Sequence, residues 1–222
     1  MSDSEYMRRA LELARRGLGL TSPNPPVGAV IIEDGRELGS GWHRRAGEPH
    51  AEIEAIRDAV SRGGQGALGN ATLYVTLEPC SSVGRTGACT TAIRQAGLKR
   101  VVIGAGDPNP ANAGRASGIL QDAGIEVVEG IEEAACEELI RAFSKAQKTG
   151  LPWLIIKTAM SLDGRITRAP GEGPWISGEG SRADVQRLRF EADAILTSGR
   201  TVRADDPRLT LRGSEIPEGK EQ

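Results

Sequence analysis

The chain has 222 residues, enough for one large domain or for one domain and part of another. Its formal net charge is −2 and only 3% of its residues are aromatic, which disfavours a broad basic surface or a base-stacking platform for nucleic acid. No apolar run approaches the length of a membrane span, and the charged amphipathic start does not resemble a signal segment. Three cysteines, an odd number, do not suggest a disulfide framework. We therefore predict a cytoplasmic protein without nucleic-acid or membrane partners.

Helices and apolar strands alternate along the chain. An amphipathic helix ends at Gly17, and two apolar runs around Asp34-Gly35 predict a β-hairpin. A second helix is predicted from about His50 to Ser61. The elements that follow are the strand "ATLYVTLEPC", a helix over 90–96, the strand "RVVIGA", a helix over 114–123, the strand "IEVVEG" and a helix over 131–147.

This order predicts an α/β fold with a mostly parallel central sheet and helices on its faces, because successive βα units bury apolar strands in that way. We predict a first domain over 1–147, a linker over 148–152 and a second unit over 153–222. The strand "WLIIKTAM" is predicted to open the second unit, which is short for an independent α/β domain. We therefore expect 153–222 to form a partial domain.

A transition-metal site could draw its histidine and cysteine ligands only from His43, His50, Cys80, Cys89 and Cys136. His50 opens a predicted helix, Cys80 follows a predicted strand and Cys89 precedes a helix, so all three fall at strand–helix junctions, where sites form in α/β sheets. One histidine and two cysteines leave a fourth tetrahedral position for water, which is typical of a catalytic Zn²⁺. We predict these three residues as the zinc ligands.

Glu52 lies two residues after His50 and can face water at such a metal without ligating it. A carboxylate in this place accepts a proton and passes it to a leaving amine in zinc-dependent base deaminases, whose pattern is H-x-E followed by P-C and a second cysteine. Cys136 shares an apolar helical face and is predicted to be a packed thiol. His43 is either near the substrate or exposed, and the sequence leaves both open.

Several longer motifs resemble one family. "TSPNPPVGAVII", "GWHRRAGEPHAE", "YVTLEPCSSVGRTGAC" and "DPNPANAGR" resemble the deaminase half of the bifunctional riboflavin-biosynthesis deaminase–reductases. "KTAMSLDGRIT", "WISGEGSRADVQRLR" and "DAILTSGRTVRADDPRLT" resemble the opening of the reductase half. The resemblance implies a cytidine-deaminase-like three-layer sandwich followed by a partial dihydrofolate-reductase-like domain, and association into a homo-oligomer.

The resemblance also implies a reaction. The family's deaminase half hydrolyses the amino group of 2,5-diamino-6-ribosylamino-4(3H)-pyrimidinone 5′-phosphate, a small phosphorylated pyrimidine, and releases ammonia. Its residues carry over as follows: zinc ligands at His50, Cys80 and Cys89, a proton shuttle at Glu52, and substrate contacts at Asn24, His43 and, for the phosphate, Arg85.

The loop between the cysteines departs from the family pattern. Ser82 stands where the family has a histidine, and Gly87-Ala88 stand where it has two prolines. Both thiolates remain, so the metal chemistry is expected to survive, while the grip on the substrate is in question. A deaminase redirected to another pyrimidine or pterin-like substrate is therefore one alternative. A non-catalytic zinc scaffold that partners a separate reductase is the other.

The reductase half of the family implies a second set of positions. The chain stops before the later strands and the glycine-rich loop that would bind the cofactor's pyrophosphate. We therefore expect NADP(H) binding only in a complete reductase domain, and no reduction by this portion alone. The carried-over positions are Met160, Trp175, Thr201 and Asp205 for the cofactor and Lys157, Gly173, Arg189, Leu209 and Arg212 for the substrate, with Asp163 lining the same cleft.

Overall fold

The computed structural model describes residues 1–63, 68–81, 88–169, 171, 173 and 175–212. The chain divides into two compact units, Met1–Trp153 and Leu154–Gln222. The sequence-based interpretations of Ser82, Arg85 and Gly87 concern residues outside the described ranges.

The first unit contains five strands and six helices within the described ranges. The strands are β1 Gly28–Glu33, β2 Arg36–Trp42, β3 Thr72–Leu77, β4 Arg100–Ala105 and β5 Glu126–Glu129. The helices are α1 Asp3–Arg15, α2 Ala51–Gly63, α3 Cys89–Gln95, α4 Arg115–Asp122, α5 Glu133–Leu139 and α6 Arg141–Thr149.

The strands form one sheet in the order β2-β1-β3-β4-β5. β1 is antiparallel to both β2 and β3, while β3, β4 and β5 are parallel to one another. Four of the five strands therefore run in one direction, which confirms the predicted mostly parallel sheet. The carboxyl ends of β3 and β4 lie side by side, with Leu77 paired to Ala105, so the segments that follow these strands meet at one edge.

The predicted hairpin at Asp34-Gly35 is confirmed. Glu33 pairs with Arg36, and the two residues between them have φ angles of 48° and 78°. Positive φ at both central residues matches the type I′ turn that suits the twist of a two-residue hairpin. Asp followed by Gly tolerates this backbone well, because glycine has no Cβ and aspartate visits the left-handed region more readily than most residues.

Each face of the sheet is covered by helices, which gives three layers. Successive residues of a strand point to opposite faces, and β1 shows this directly: Ile31 belongs to the core under α2, α3 and α4, and Val30 to the core under α1 and α5. Both side chains are fully buried. The apolar runs of β1, β3 and β4 are thus explained by burial on two faces.

Helix α2 approaches β2 closely because two glycines of the strand face it. A Cβ added at Gly41 would lie 2.5 Å from the backbone nitrogen of Ala55, and one added at Gly39 would lie 2.4 Å from the Ala55 carbonyl oxygen. Alanines at positions 51, 55 and 59 of the helix are all buried at this contact. Small residues on both sides therefore fix the position of α2, whose first turn carries Glu52.

The prediction of a single helix over 131–147 is wrong, because this stretch forms two helices. The structure has α5 and α6, which meet at Ile140, where φ is −100° and ψ is 11°. Ile140 is only 4% exposed, so the residue stays in the core while its backbone leaves the helical region. The spacing of apolar residues along the sequence does not reveal a break in the helix at one residue. α6 ends at Thr149, inside the predicted linker, with Gly150 in the left-handed conformation as its cap.

The second unit has two helices within its described residues, α7 Glu179–Glu191 and α8 Gly199–Asp205. The strand predicted from Trp153 is wrong: residues 153–160 form no strand, and Leu154 and Ile156 are 73% and 89% exposed. A strand needs a neighbour to pair its N–H and C=O groups, and the described part of 154–212 provides none. No described helix is long and apolar enough to cross a bilayer.

Candidate metal centre and substrate cavity

The three predicted zinc ligands are delivered by three different elements to one edge of the sheet. His50 directly precedes α2, Cys80 follows β3, and Cys89 is the first residue of α3. The backbone N–H of Glu54 donates to the carbonyl of His50 at 3.1 Å, and that of Thr90 to the carbonyl of Cys80 at 3.3 Å. His50 and Cys89 therefore lie where helices begin, and Cys80 is tied to the first turn of α3.

The ligand atoms of His50, Cys80 and Cys89 all lie within 4.8 Å of one another. The His50 Nδ1 atom is 3.6 Å from the Cys80 Sγ and 3.3 Å from the Cys89 Sγ. Ligands bound to Zn²⁺ through nitrogen and sulfur in a tetrahedral site lie about 3.6 Å apart. The spacing and the borderline-soft donor set both fit Zn²⁺, with a fourth position left for water.

The two thiols share hydrogen bonds. The Cys89 side chain and His50 both hydrogen-bond to Cys80 and lower the pKa of its thiol, and the backbone N–H of Cys89 donates to the Cys80 Sγ at 3.3 Å. The same shared hydrogen bond, together with burial, raises the pKa of Cys89. The lowered pKa favours the thiolate form of Cys80, which is the form that binds a metal.

Glu52 lies in the first turn of α2 and is 3% exposed. Burial raises the pKa of its carboxyl group, and the nearby His50 opposes that shift. The side chain contacts Cys89 and lines the same cavity as His50 and Cys80. A buried carboxyl group beside the three donor atoms has the position that proton transfer at this site requires.

A cavity of about 310 Å³ opens beside the three donor atoms. Asn24 and His43 both line it, and the Asn24 Nδ2 atom lies 3.1 Å from the His43 Nε2. The His43 Nδ1 atom lies 3.1 Å from the Pro49 carbonyl oxygen. His43 is 2% exposed, so the exposed alternative for it is wrong, and burial lowers its pKa.

Other cavity residues were missed as site residues. Asp107, Asn109 and Asn112 follow β4, and Phe143 and Gln147 come from α6, four residues apart and so on one helical face. The motif "DPNPAN" directly after a parallel strand is a signal that could have indicated the first three, because sites form at that edge. No sequence signal pointed to the α6 pair.

The remaining predicted residues lie elsewhere. Cys136 is 1% exposed and packs against β4 at Gly104, and burial raises its pKa to about 12, as expected for a packed thiol. Met160 and Trp175 are 60% and 57% exposed. The Arg189 guanidinium donates to the Thr210 carbonyl at 3.3 Å, near the predicted substrate positions.

The other predicted reductase positions are on the surface of the second unit or make local contacts. The backbone N–H of Thr201 donates to the Ser198 hydroxyl, which caps α8, and the backbone N–H of Arg212 donates to the Gln186 side chain at 3.0 Å. Asp163 bonds within its own turn. The remaining predicted reductase residues are exposed or half-exposed: Lys157, Gly173, Asp205 and Leu209.

Two family models match the chain. Residues 1–105 match the zinc-binding region of cytidine and deoxycytidylate deaminases, and residues 152–222 match the RibD C-terminal domain. The first match contains all three donor residues and Glu52. Zn²⁺ is therefore the metal that both the family model and the His-Cys-Cys cluster fit.

Relatives and solved structures agree with these matches. The riboflavin biosynthesis protein RibD of Escherichia coli K12 is 52% identical over 98% of this chain and 58% of the relative. A structure of Acinetobacter baumannii RibD superposes with a TM-score of 0.85 at 47% identity, over 95% of this chain and 58% of that one. A Thermotoga maritima diaminohydroxyphosphoribosylaminopyrimidine deaminase/5-amino-6-(5-phosphoribosylamino)uracil reductase gives 0.90 at 42% identity, over 96% and 60%.

The chain thus spans somewhat more than half the length of the relatives it matches. Within that span the similarity is continuous, from the helix before the hairpin through the metal centre and into the second unit. The fold, the metal cluster and the two matched regions agree: over the part of their length that it spans, the chain is similar to the RibD riboflavin biosynthesis proteins.

Proposed function

We propose that the first unit is a zinc-dependent hydrolase that deaminates 2,5-diamino-6-ribosylamino-4(3H)-pyrimidinone 5′-phosphate. The observation that carries this proposal is the convergence of His50, Cys80 and Cys89 within 4.8 Å beside a buried Glu52 and a cavity. The deaminase named for the Thermotoga maritima relative supports the choice of substrate. The product would be 5-amino-6-ribosylaminouracil 5′-phosphate.

The reaction exchanges an amino group for oxygen. Water adds to the amino-bearing ring carbon, the C–N bond breaks, and a proton that leaves the water ends on the nitrogen, which departs as ammonia. Zn²⁺ bound by the three donors would lower the pKa of the water and so supply a nucleophile at neutral pH. Glu52 accepts the proton at its carboxylate and returns it to the amino nitrogen, for which its position beside the donor atoms is suited.

Asn24 and His43 orient the pyrimidine in this proposal. Because the His43 Nδ1 atom faces the Pro49 carbonyl, that nitrogen carries the proton, and Nε2 accepts from the Asn24 amide. The amide is then held with its Nδ2 toward the histidine, so its carbonyl oxygen is the group that can accept an N–H of the substrate. Arg85, proposed for the phosphate, lies outside the described residues.

Several further predictions belong to the same proposal. The second unit would bind NADP(H) only as part of a complete reductase domain, at the positions carried over from the family. Association of the deaminase units into a homo-oligomer and action on a small molecule rather than on nucleic acid are also retained. A cytoplasmic location agrees with three free cysteines.

Ammonia release from the phosphorylated precursor tests the function directly. The zinc-loaded chain would be assayed with the precursor, cytidine and guanine at equal concentrations, with ammonia measured by a coupled assay. We expect turnover of the precursor and none of the other two. Turnover of cytidine or guanine instead would favour the redirected deaminase. Zinc binding with no ammonia from any of the three would favour the non-catalytic scaffold.

A further inference from the structure

Glu78 is a buried carboxylate that the proposed reaction does not use. It lies between the end of β3 and the ligand Cys80, and it is only 5% exposed. Its Oε2 atom accepts the backbone N–H groups of Asp107 at 3.1 Å and Gly114 at 3.0 Å, and its Oε1 atom accepts that of Ala116 at 3.0 Å. Three charge-assisted hydrogen bonds offset the cost of burying this group.

These three bonds hold both ends of one segment. Asp107 is the second residue after β4 and the first of the segment, and Gly114 is the cap that precedes α4. Gly114 has no side chain to cap the first N–H groups of the helix, and no cap bond of that kind is present. The Glu78 side chain, which comes from another part of the chain, caps the start of α4 instead. A single carboxylate therefore binds both the start and the end of the segment 107–114.

The segment 107–114 has its own internal order. The Asp107 carboxylate accepts the backbone N–H of Asn109 and the side-chain amide of Asn112, both at 2.9 Å. The side-chain oxygen of Asn109 accepts the N–H of Ala111 at 3.0 Å. Asp107, Asn109 and Asn112 line the same cavity as Asn24 and His43. The shape of this wall therefore depends on where Glu78 holds the ends of the segment.

We propose that Glu78 is a positioning residue, which fixes the segment 107–114 so that its polar side chains grip the pyrimidine substrate beside the metal centre. The inference rests on the proposed function. Because Cys80 follows Glu78 by two residues on the same strand end, the same short stretch places a metal ligand and one wall of the cavity. The wall itself lies outside residues 1–105, which match the zinc-binding region of the deaminases.

Glutamine is the informative replacement, since it keeps the shape of glutamate. An amide presents one oxygen and one NH₂ group, so at least one of the three N–H groups would face a donor instead of an acceptor. Aspartate keeps the charge on a shorter side chain and is the conservative variant. Asp58→Asn is a matched control, because Asp58 also accepts a backbone N–H, that of Ser40 at 2.8 Å, and lies away from the cavity.

The test measures the chain with bound zinc in three ways. For Glu78→Gln we expect KM for the phosphorylated precursor to rise about tenfold while kcat changes less than about threefold. Zinc content per chain should be unchanged. Amide hydrogen exchange at Asp107, Gly114 and Ala116 should become at least about tenfold faster, with no change in α3. Glu78→Asp should recover part of the KM effect, and Asp58→Asn should show none.

Two results would overturn the inference while leaving the proposed function intact. One is an active Glu78→Gln variant whose three amides exchange at the parent rate. The other is faster exchange with an unchanged KM, which would make Glu78 a structural residue only. A parent chain that binds zinc but releases no ammonia from the precursor would instead overturn the proposed function, and with it the substrate role of this segment.

Discussion

In Met1–Trp153 the strands β1, β3 and β4 bury apolar side chains on both faces of the sheet, whereas no described residue of 154–212 is buried. The metal cluster and its cavity lie wholly in the first unit. The second unit shows two helices, α7 and α8, without a buried residue on either. The three donor atoms are thus brought together in the unit where helices pack onto a sheet.

The difference also shows what an apolar run does and does not predict. "ATLYVTLEPC" and "WLIIKTAM" look alike as sequences, yet only the first forms a strand. β3 has β1 and β4 as hydrogen-bonded neighbours, while 153–160 has no neighbour of that kind among the described residues. An apolar run indicates that its side chains suit a pleated surface. A strand forms only where neighbouring strands are present to pair with its backbone.

Removal of a metal ligand is the largest expected effect on the first unit. Cys89→Ala deletes one of three donors, and we expect zinc affinity to fall at least about 100-fold and ammonia release to be lost. Zinc content by mass spectrometry and the ammonia assay measure this. Cys136→Ala is the matched thiol control and should keep zinc at a stability cost of about 1 kcal/mol. Equal zinc loss in both variants would show that the cysteines act through packing.

The next largest expected effect comes from crowding the contact between α2 and β2. Gly41→Ala places a Cβ against the backbone of α2, 2.5 Å from the Ala55 nitrogen. We expect a loss of about 1–3 kcal/mol in the free energy of unfolding, because the helix must move. Zinc affinity should also weaken, since α2 carries His50 at its start. Urea titration with and without zinc measures both.

A glycine in open space provides the comparison for that variant. No atom lies within 4 Å of a Cβ built at Gly118 in α4. Gly118→Ala should therefore raise stability by about 0.5–1 kcal/mol through helix propensity and leave zinc binding unchanged. If Gly41→Ala were as stable as Gly118→Ala, the close packing of α2 on β2 would be contradicted.

The ion pair at the start of α1 gives a smaller, pH-dependent effect. Asp3 accepts hydrogen bonds from Arg100 at 2.8 and 3.1 Å and from the Tyr74 hydroxyl at 2.7 Å. Bonding to Arg100 lowers the pKa of Asp3. A lowered folded-state pKa stabilises the fold above the unfolded value of about 3.9, and that stability is lost as the pH falls through the folded value.

Asp3→Asn should thus cost about 0.5–1 kcal/mol at neutral pH, a value that allows for partial exposure of the pair. The difference from the parent should vanish at the acid end of a series of urea titrations. Asp34→Asn, in the exposed hairpin turn, is the control. If the free energy of unfolding of Asp3→Asn fell in acid by as much as that of the parent, the role of this ion pair would be contradicted.

A change in the second unit should be the smallest of all. Arg187 pairs with Asp184 at 2.8 Å and with Glu191 at 2.7 Å on α7. Arg187→Ala should cost about 0.5 kcal/mol of helix stability and leave KM and kcat for ammonia release within about twofold. A large change in either kinetic parameter would show that α7 contributes to the reaction of the first unit.

The sequence was sufficient for the sheet, the hairpin and the convergence of the three donor residues. Local signals explain this success, since Asp34-Gly35 dictates its turn and the parallel βα order brings Cys80 and Cys89 to one edge with His50. The roles of these residues, and of Glu52, stay predictions until they are measured.

The rest depends on contacts between residues distant in the chain. Nothing local to Glu78 indicates that it accepts N–H groups 29 to 38 positions later. The Asn24–His43 bond and the entry of Phe143 into the cavity are likewise set by packing of separate elements. The break at Ile140 and the absence of a strand over 153–160 reflect tertiary surroundings that periodicity does not record.

In the proposed reaction Glu52 moves the proton at a zinc site held by His50, Cys80 and Cys89. Glu52→Gln keeps the shape of the side chain and removes its capacity to accept a proton. Zinc content and ammonia release measured on the same sample give the most direct test. We predict full zinc content with kcat lowered about 10²–10⁴-fold. A variant with full zinc content that releases ammonia at the parent rate would contradict the account.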